Sequence, residues 1–101
     1  MGKDAPKVEA MRRAKVDGNH NEIADTFRAC GCLVQSLARM GAGVPDLLVQ
    51  HGGSKRLALV EVKTAKGQPT AAQEQFYEQG WKVYVVRDTR AAVAVVQELR
   101  R

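Results

Sequence analysis

The sequence predicts a small α/β domain, a mixed four-stranded sheet with helices packed against it. Three observations support this prediction. Segments of helical and strand type follow one another in the order α-β-β-β-α-β-α, glycine- and proline-containing turns separate them, and 45% hydrophobic with 27% charged residues is an ordinary globular balance. At 101 residues the chain has room for one domain with a thin core.

The first half of the chain supplies one helix and three strands. "NHNEIADTFRACG" places Ile23, Phe27 and Cys30 at helical spacing and ends in Gly31, a suitable C-terminal cap. The three strands are predicted within "CLVQSLA", "DLLVQ" and "RLALVEVKT", separated by a glycine turn and by the hairpin turn "HGGSK". Pro45 suits the head of a strand and not its paired middle.

The second half adds a helix, a strand and a closing helix. "TAAQEQFYEQG" is predicted to be helical, with Thr70 as N-cap and Gly80 as stop. "WKVYVV" reads as the fourth strand, with Trp81 and Tyr84 in the core or at a subunit interface. "TRAAVAVVQELRR" is a helix whose apolar stripe predicts that four residues are buried: Ala92, Val95, Val96 and Leu99.

Charge and cysteine content limit the class of protein. The net charge is +5, and residues 1–16 contribute five cations against two carboxylates, so we interpret them as a basic N-terminal arm preceding a domain at 17–101. A basic surplus suits a nucleic-acid partner. Cys30 and Cys32 are expected to be thiols, because their spacing suits neither a disulfide nor, with the available histidines, a zinc site. No apolar run approaches the ~18 residues of a membrane span, and we expect a cytoplasmic protein.

Three charged residues stand in or beside predicted strands, where charge is costly to bury. Alternation puts Glu61 and Lys63 on one face of the third strand, with Ala58, Val60 and Val62 on the other. In an antiparallel pair the start of one strand meets the end of its neighbour, so Asp46 is expected beside Glu61. The pattern predicts two carboxylates and an ammonium at one end of the sheet.

This cluster has two interpretations. Two carboxylates facing a common point suit a hard cation such as Mg²⁺ or Mn²⁺, and the lysine could orient a water or stabilise negative charge on a phosphate. The alternative is a surface Asp–Lys–Glu salt-bridge cluster, which is common and contributes little to stability.

A family resemblance extends the first interpretation. Pro45-Asp46, followed by Glu61-Val62-Lys63, resembles the PD-(D/E)xK nuclease signature, and the element order resembles the restriction-endonuclease-like αβββαβ core of that superfamily. More narrowly, "NHNEI", "VQSLARMGAGVPDLLV", "LVEVKT" and "PTAAQ" together resemble the VRR-NUC domain, over roughly residues 17–88. That domain occurs as stand-alone phage proteins and at the C-terminus of the Fanconi-associated nuclease.

The resemblance implies roles for individual residues. Asp46 and Glu61 would bind the metal, with the Val62 carbonyl as a further ligand, and Lys63 would be the catalytic lysine. Glu22 matches the family's helical glutamate, which contacts the metal directly or through water. Gln73 matches a glutamine that helps to hold the lysine or the attacking water.

Glu22 and Gln73 also have a purely local interpretation. Asn19-x-x-Glu22 and Thr70-x-x-Gln73 are both capping-box patterns, which would satisfy backbone donors at a helix start. The two roles can coexist in one residue.

The function expected from the resemblance is a Mg²⁺- or Mn²⁺-dependent DNA endonuclease acting on structured DNA, similar in size and charge to Holliday-junction resolvases. We expect a homodimer, since symmetric cleavage needs two sites, in the host cytoplasm if the gene is a phage's. Lys66, Arg12 and Arg13 are candidate DNA contacts. The alternatives are a flap or single-strand nuclease and a non-catalytic DNA-binding module on the same fold.

Overall fold

The computed structural model describes residues 19–101, and the predicted α/β class is confirmed. Helix α1 spans His20–Ala29 and is followed by strands β1, Cys32–Ser36, β2, Leu47–His51, and β3, Leu57–Val62. Helix α2, Ala71–Glu78, leads into β4, Val83–Val86, and α3, Thr89–Arg100, ends the chain. In this part of the chain no helix is long and apolar enough to cross a membrane.

The sheet has the strand order β1-β2-β3-β4 and is mixed. The first two neighbouring pairs are antiparallel, as hairpin-type connections require, and β4 lies parallel to β3 after the crossover through α2. Leu47 pairs with Val60, and Val62 pairs with Val86. This register brings the start of β2 to the end of β3.

One face of the sheet forms the core with α1 and α3. Val49, Val60 and Val62 are fully buried there. They pack with Ile23 and Phe27 of α1 and with the stripe predicted for the last helix, all of which is buried: Ala92, Val95, Val96 and Leu99. Burial of apolar surface against the sheet is therefore what holds these two helices.

Several predicted boundaries shift in the structure. β1 ends at Ser36, two residues before the end of its predicted segment, because the chain turns after Leu37 donates its backbone N–H to the Asp46 carbonyl. Trp81 lies outside β4, stacked on Phe76 with a centroid distance of 5.4 Å and 54% exposed, so it is not a core residue. Gly31 follows α1 with φ +86°, as a C-terminal cap requires.

The two cysteines are free thiols, as predicted. Cys32 belongs to the core, and burial, followed by the neighbouring Cys30, raises the pKa of its thiol. A raised pKa keeps Cys32 protonated and unreactive, as expected of a small core residue.

Helix α2 is held differently from the other two helices. None of its residues is buried, so apolar packing does not fix it. Instead its first turn lies against the loop before β2, where a Cβ on Gly43 would come within 2.2 Å of the Ala72 carbonyl oxygen. Gly43 also has φ +79°, so this position needs glycine for two separate reasons.

These two reasons can be separated by comparing Gly43→Ala with Gly41→Ala. Gly41 has φ +67° but no atom within 4 Å of its missing Cβ, so Gly41→Ala should lower the free energy of unfolding by only about 1–2 kcal/mol of backbone strain. Gly43→Ala should lower the free energy of unfolding further, by about 3 kcal/mol or more, because α2 must move as well. Urea unfolding measures both, and equal losses would contradict the close contact.

Candidate active site

Asp46 and Glu61 lie side by side at one end of the sheet, as the register predicts. Asp46 precedes the Leu47–Val60 pair on β2, and Glu61 follows it on β3. One carboxylate oxygen of Asp46 accepts a hydrogen bond from the Val62 backbone N–H at 2.9 Å. This bond fixes Asp46 across the end of β3 and uses only one of its two oxygens.

Glu61 and Lys63 are buried, which bears on the salt-bridge interpretation of the cluster. Glu61 is 1% exposed and Lys63 8% exposed, with Lys63 Nζ 4.0 Å from Glu61 Oε2. A surface salt-bridge cluster would be solvated, so that alternative is wrong. Burying an ion pair is costly unless further hydrogen bonds satisfy it.

Gln73 supplies one of those hydrogen bonds. Its backbone N–H donates to Thr70 Oγ1, and its Oε1 accepts from the Thr70 backbone N–H at 2.9 Å, which completes the capping box. Because Oε1 must accept there, the amide NH₂ points the other way and donates to Glu61 Oε2 at 2.8 Å. Gln73 therefore caps α2 and also contacts the site. Its side chain contacts the Glu61 carboxylate directly, whereas the resemblance implied the lysine or the attacking water.

Asn19 shows the opposite outcome for the other capping-box pattern. It occupies the N-cap position of α1, but its side chain makes no capping hydrogen bond. Instead Nδ2 donates to the Lys63 carbonyl at 3.2 Å and to the Arg87 carbonyl at 2.9 Å. The predicted Asn19-x-x-Glu22 capping box is therefore not formed, and Asn19 joins the start of α1 to the ends of β3 and β4.

Comparison with known proteins gives a family match and a structural match. The family model of the VRR-NUC domain matches residues 7–97. The chain belongs to the VRR-NUC family. A solved structure of a VRR-NUC domain is similar to it, with 30% identity, a TM-score of 0.60, and coverage of 80% of this chain and 94% of that chain. None of the curated proteins compared with the chain matches it.

Membership of the VRR-NUC family gives the chain a nuclease-type fold. The family match begins at residue 7, inside the predicted arm. Arg12 and Arg13, and the whole of that arm, lie outside the described residues, so their roles remain predictions.

Arg87 fixes the loop that follows Lys63, and sequence analysis missed it. Its Nη1 donates to the carbonyls of Thr64 and Gly67, both at 2.7 Å, while the Lys63 backbone N–H donates to the Val86 carbonyl at 3.0 Å. Lys66, a predicted DNA contact, lies in this loop and is exposed. A basic residue directly after an apolar strand, next to the buried Val86, was the available signal for Arg87.

Glu22 is not brought into contact with the two strand carboxylates. It is exposed, in the first turn of α1, and the described residues contain no group of three His, Cys, Asp or Glu side chains placed to hold an ion. The start of its helix is nevertheless tied to Lys63 through Asn19. Its contact with metal remains a prediction, as does that of the Val62 carbonyl.

The side chains present fit a hard divalent cation of the kind the VRR-NUC family uses. Asp46 and Glu61 both offer carboxylate oxygens, the ligand type that Mg²⁺ and Mn²⁺ prefer. Mg²⁺ is commonly held by one or two carboxylates with water and phosphate completing its shell, so two adjacent carboxylates suffice. Two like charges side by side, with one lysine nearby, also favour binding of a cation.

The Asn19 contact can be tested with Asn19→Asp. Aspartate is as good an N-cap as asparagine, but it cannot donate, so two hydrogen bonds worth about 1 kcal/mol each are lost. We expect the free energy of unfolding to fall by about 2 kcal/mol or more, because carbonyl oxygens then face a carboxylate. Urea unfolding provides the measurement.

The matched control for this prediction is Thr70→Asp. Thr70 does cap its helix through a side-chain oxygen, so aspartate should be tolerated there within about 0.5 kcal/mol. An Asn19→Asp protein as stable as the wild type would show that the contacts with β3 and β4 contribute nothing.

Proposed function

We propose that this VRR-NUC protein is a metal-dependent endonuclease that hydrolyses phosphodiester bonds in structured DNA. The observation that carries the proposal is the cluster of Asp46 with the buried Glu61 and Lys63. Gln73 holds this cluster on the sheet face opposite the core formed with α1 and α3. A chain that had lost catalysis would have little reason to bury these charges, because apolar residues of similar volume are often at least as stable there.

In this proposal each residue of the cluster has a distinct role. Asp46 and Glu61 would hold the cation, with the Val62 carbonyl as a further ligand and Glu22 reaching it directly or through water. When bound, the cation supplies charge neutralisation at the phosphate and lowers the pKa of water. Gln73 fixes the Glu61 carboxylate, and Lys63 orients the attacking water and stabilises negative charge that develops on the phosphate.

Recognition would depend on DNA shape and phosphate contacts. Lys66 in the exposed loop after β3, with Arg12 and Arg13 of the arm, would contact the backbone. Recognition through shape and backbone contacts favours branched DNA, such as a Holliday junction, over linear duplex, because a branch differs from a duplex in its shape. A flap or single-strand nuclease would use the same cluster and is distinguished by its substrate.

The proposal includes a homodimer, supported by two exposed leucines on the site-bearing face of the sheet. Leu33 and Leu57, 69% and 62% exposed, lie in one row across β1, β2 and β3, since both pair with Gln50. Leu57 is four residues from Glu61, about 13 Å along the strand. A second copy packed on this row would leave the cluster open, and two such sites suit paired cleavage.

The site assignment is tested by Asp46→Asn. Asparagine keeps the size of the side chain and an acceptor for the Val62 N–H, but it removes a charge that the cation needs. We expect cleavage to fall below about one-hundredth of the wild-type rate, while DNA binding remains. Mg²⁺ at 100 times its Kd should stabilise the wild type by about 2.7 kcal/mol in thermal unfolding, and Asp46→Asn should lose this gain.

The control for Asp46→Asn is Asp25→Asn. Asp25 is exposed on α1 and paired with Arg28 at 3.2 Å, so its substitution should leave both cleavage and the effect of Mg²⁺ unchanged. Full activity of Asp46→Asn would refute the assignment.

The substrate prediction concerns symmetry. The wild-type dimer should make paired, opposed nicks near the crossover of a four-way junction and cut linear duplex poorly. A mixed dimer with Lys63→Ala in one subunit should give single nicks. Labelled junctions, flaps and duplexes, resolved on denaturing gels, provide the measurement, and equal rates on linear duplex and junction would reject the junction preference.

Assembly is tested separately with the double variant Leu33→Lys, Leu57→Lys. Both residues are exposed, so the fold should tolerate the change, and four lysines at a two-fold interface repel one another. The added positive charge favours DNA binding, so weaker binding could not explain a loss of paired nicks. Such a loss would therefore report on assembly. We expect a monomer in light scattering, and a wild-type protein that is monomeric while active would contradict the dimer.

A further inference from the structure

Lys63 is buried although it lies just beyond the last residue of β3. Its backbone is fixed on both sides, since its N–H donates to the Val86 carbonyl at 3.0 Å and its carbonyl accepts from Asn19 Nδ2 at 3.2 Å. These contacts leave the side chain free to rotate, because lysine carries its ammonium on a flexible four-carbon stem. A further group must therefore hold the ammonium beside Glu61.

The chain after Lys63 folds back along this side chain. The Gly67 N–H donates to the Thr64 carbonyl at 3.2 Å, which closes a turn. A Cβ on Gly67 would lie 3.5 Å from Lys63 Cδ, a distance of ordinary van der Waals contact. Residues 64–67, which we call the 64–67 loop, therefore lie against the methylene stem of Lys63 and restrict its movement.

The 64–67 loop is held by Arg87. Thr64, Ala65 and Lys66 are exposed, so burial of apolar surface does not hold the loop. Arg87 Nη1 donates instead to the carbonyls of Thr64 and Gly67, both at 2.7 Å, and lies 3.4 Å from the carbonyl of Ala65. Hydrogen bonds from a charged guanidinium are among the stronger ones in proteins. One side chain therefore joins both ends of the loop.

We propose that Arg87 is a positioning residue, which holds the 64–67 loop against Lys63 and thereby keeps the Lys63 ammonium in place for the reaction. Lys63 Nζ lies 4.0 Å from Glu61 Oε2 in this arrangement. The inference rests on the proposed nuclease function, since it assigns to Arg87 an effect on the rate of cleavage that requires no contact with DNA. A displacement of a reacting group by about 1 Å can lower a rate about 100-fold.

The test compares Arg87→Met with the matched control Arg90→Met. Methionine keeps an unbranched apolar stem at position 87 but donates no hydrogen bond to the loop. Arg90 is exposed in the first turn of α3, so its substitution removes the same charge from the protein and leaves the hydrogen bonds of the loop intact. Urea unfolding reports on the folding of each variant.

The enclosure of Lys63 is measured without DNA, from the rate at which acetic anhydride acetylates its amine, as read by mass spectrometry. Lys55, which is exposed between β2 and β3, is the internal reference. In the wild type we expect Lys63 to react more slowly than Lys55. Arg87→Met should raise the rate at Lys63 by about tenfold or more, because hydrogen bonds to a charged group no longer close the loop. Arg90→Met should leave this rate unchanged.

The effect on the reaction is measured with the same three proteins, as cleavage of a four-way junction with Mg²⁺ and affinity for that DNA with Ca²⁺. We expect Arg87→Met to lower kcat by about tenfold or more. Its DNA affinity should equal that of Arg90→Met, because both variants lose one positive charge and Lys66 keeps its own. A fall in kcat without a further loss of affinity, in a folded protein, is not the result expected of an arginine that only contributes to stability.

Two outcomes would overturn the proposal. If Lys63 in folded Arg87→Met is acetylated as slowly as in the wild type, the arginine does not hold the loop against it. If Lys63 becomes reactive while kcat equals that of Arg90→Met, the enclosure of Lys63 has no effect on cleavage.

Two further results leave the test decisive. Should Arg87→Met fail to fold, Arg87→Lys replaces it, because its ammonium is one bond short of the position of Nη1, and the same results are expected. If the wild type cleaves no DNA with Mg²⁺, the nuclease proposal fails, while the acetylation rates still decide whether Arg87 holds the loop against Lys63.

Discussion

The buried charges at the end of β3 are the constraint on which the local structure depends. Glu61 and Lys63 are almost fully inaccessible in a domain whose core is thin. Each charge removed from water must be compensated by a partner or by hydrogen bonds. The hydrogen bond from Gln73 and the nearby ammonium of Lys63 compensate the Glu61 carboxylate. Asp46 and Asn19 hold the backbone on either side, at the Val62 N–H and the Lys63 carbonyl.

This constraint explains why the three helices are attached in different ways. Helices α1 and α3 bury apolar stripes on one face of the sheet, a non-directional attraction that needs no particular atom. Helix α2 buries no residue and is placed by specific contacts, the glycine-dependent approach at Gly43 and the hydrogen bond from Gln73. Directional contacts fix the position of a helix more narrowly than apolar packing does, which suits a helix that contacts the candidate site.

In this small sheet, one face packs in the core and the other carries the polar cluster. Strand alternation sends Ala58, Val60 and Val62 into the core and Glu61 to the opposite face. Only polar groups at the end of that second face are enclosed, by α2 and by the loop that Arg87 holds through the Thr64 and Gly67 carbonyls. Further along the same face, Leu33 and Leu57 are exposed.

The sequence by itself determined the order and type of the elements, the buried stripe of the last helix, and the meeting of Asp46 with Glu61. These features follow from periodicity and from the rule that an antiparallel strand returns beside its neighbour, both of which are local properties of the chain. The identity of the family followed from short motifs at fixed spacing.

Only the tertiary structure decided what the ambiguous polar residues contact. Asn19-x-x-Glu22 and Thr70-x-x-Gln73 follow the same capping-box pattern, yet only the second forms a capping box. Asn19 instead donates to residues 44 and 68 positions away. The contacts of Arg87 likewise join it to residues more than 20 positions away. Hydrogen-bond partners remote in sequence are set by how whole elements pack, and no local pattern records that packing.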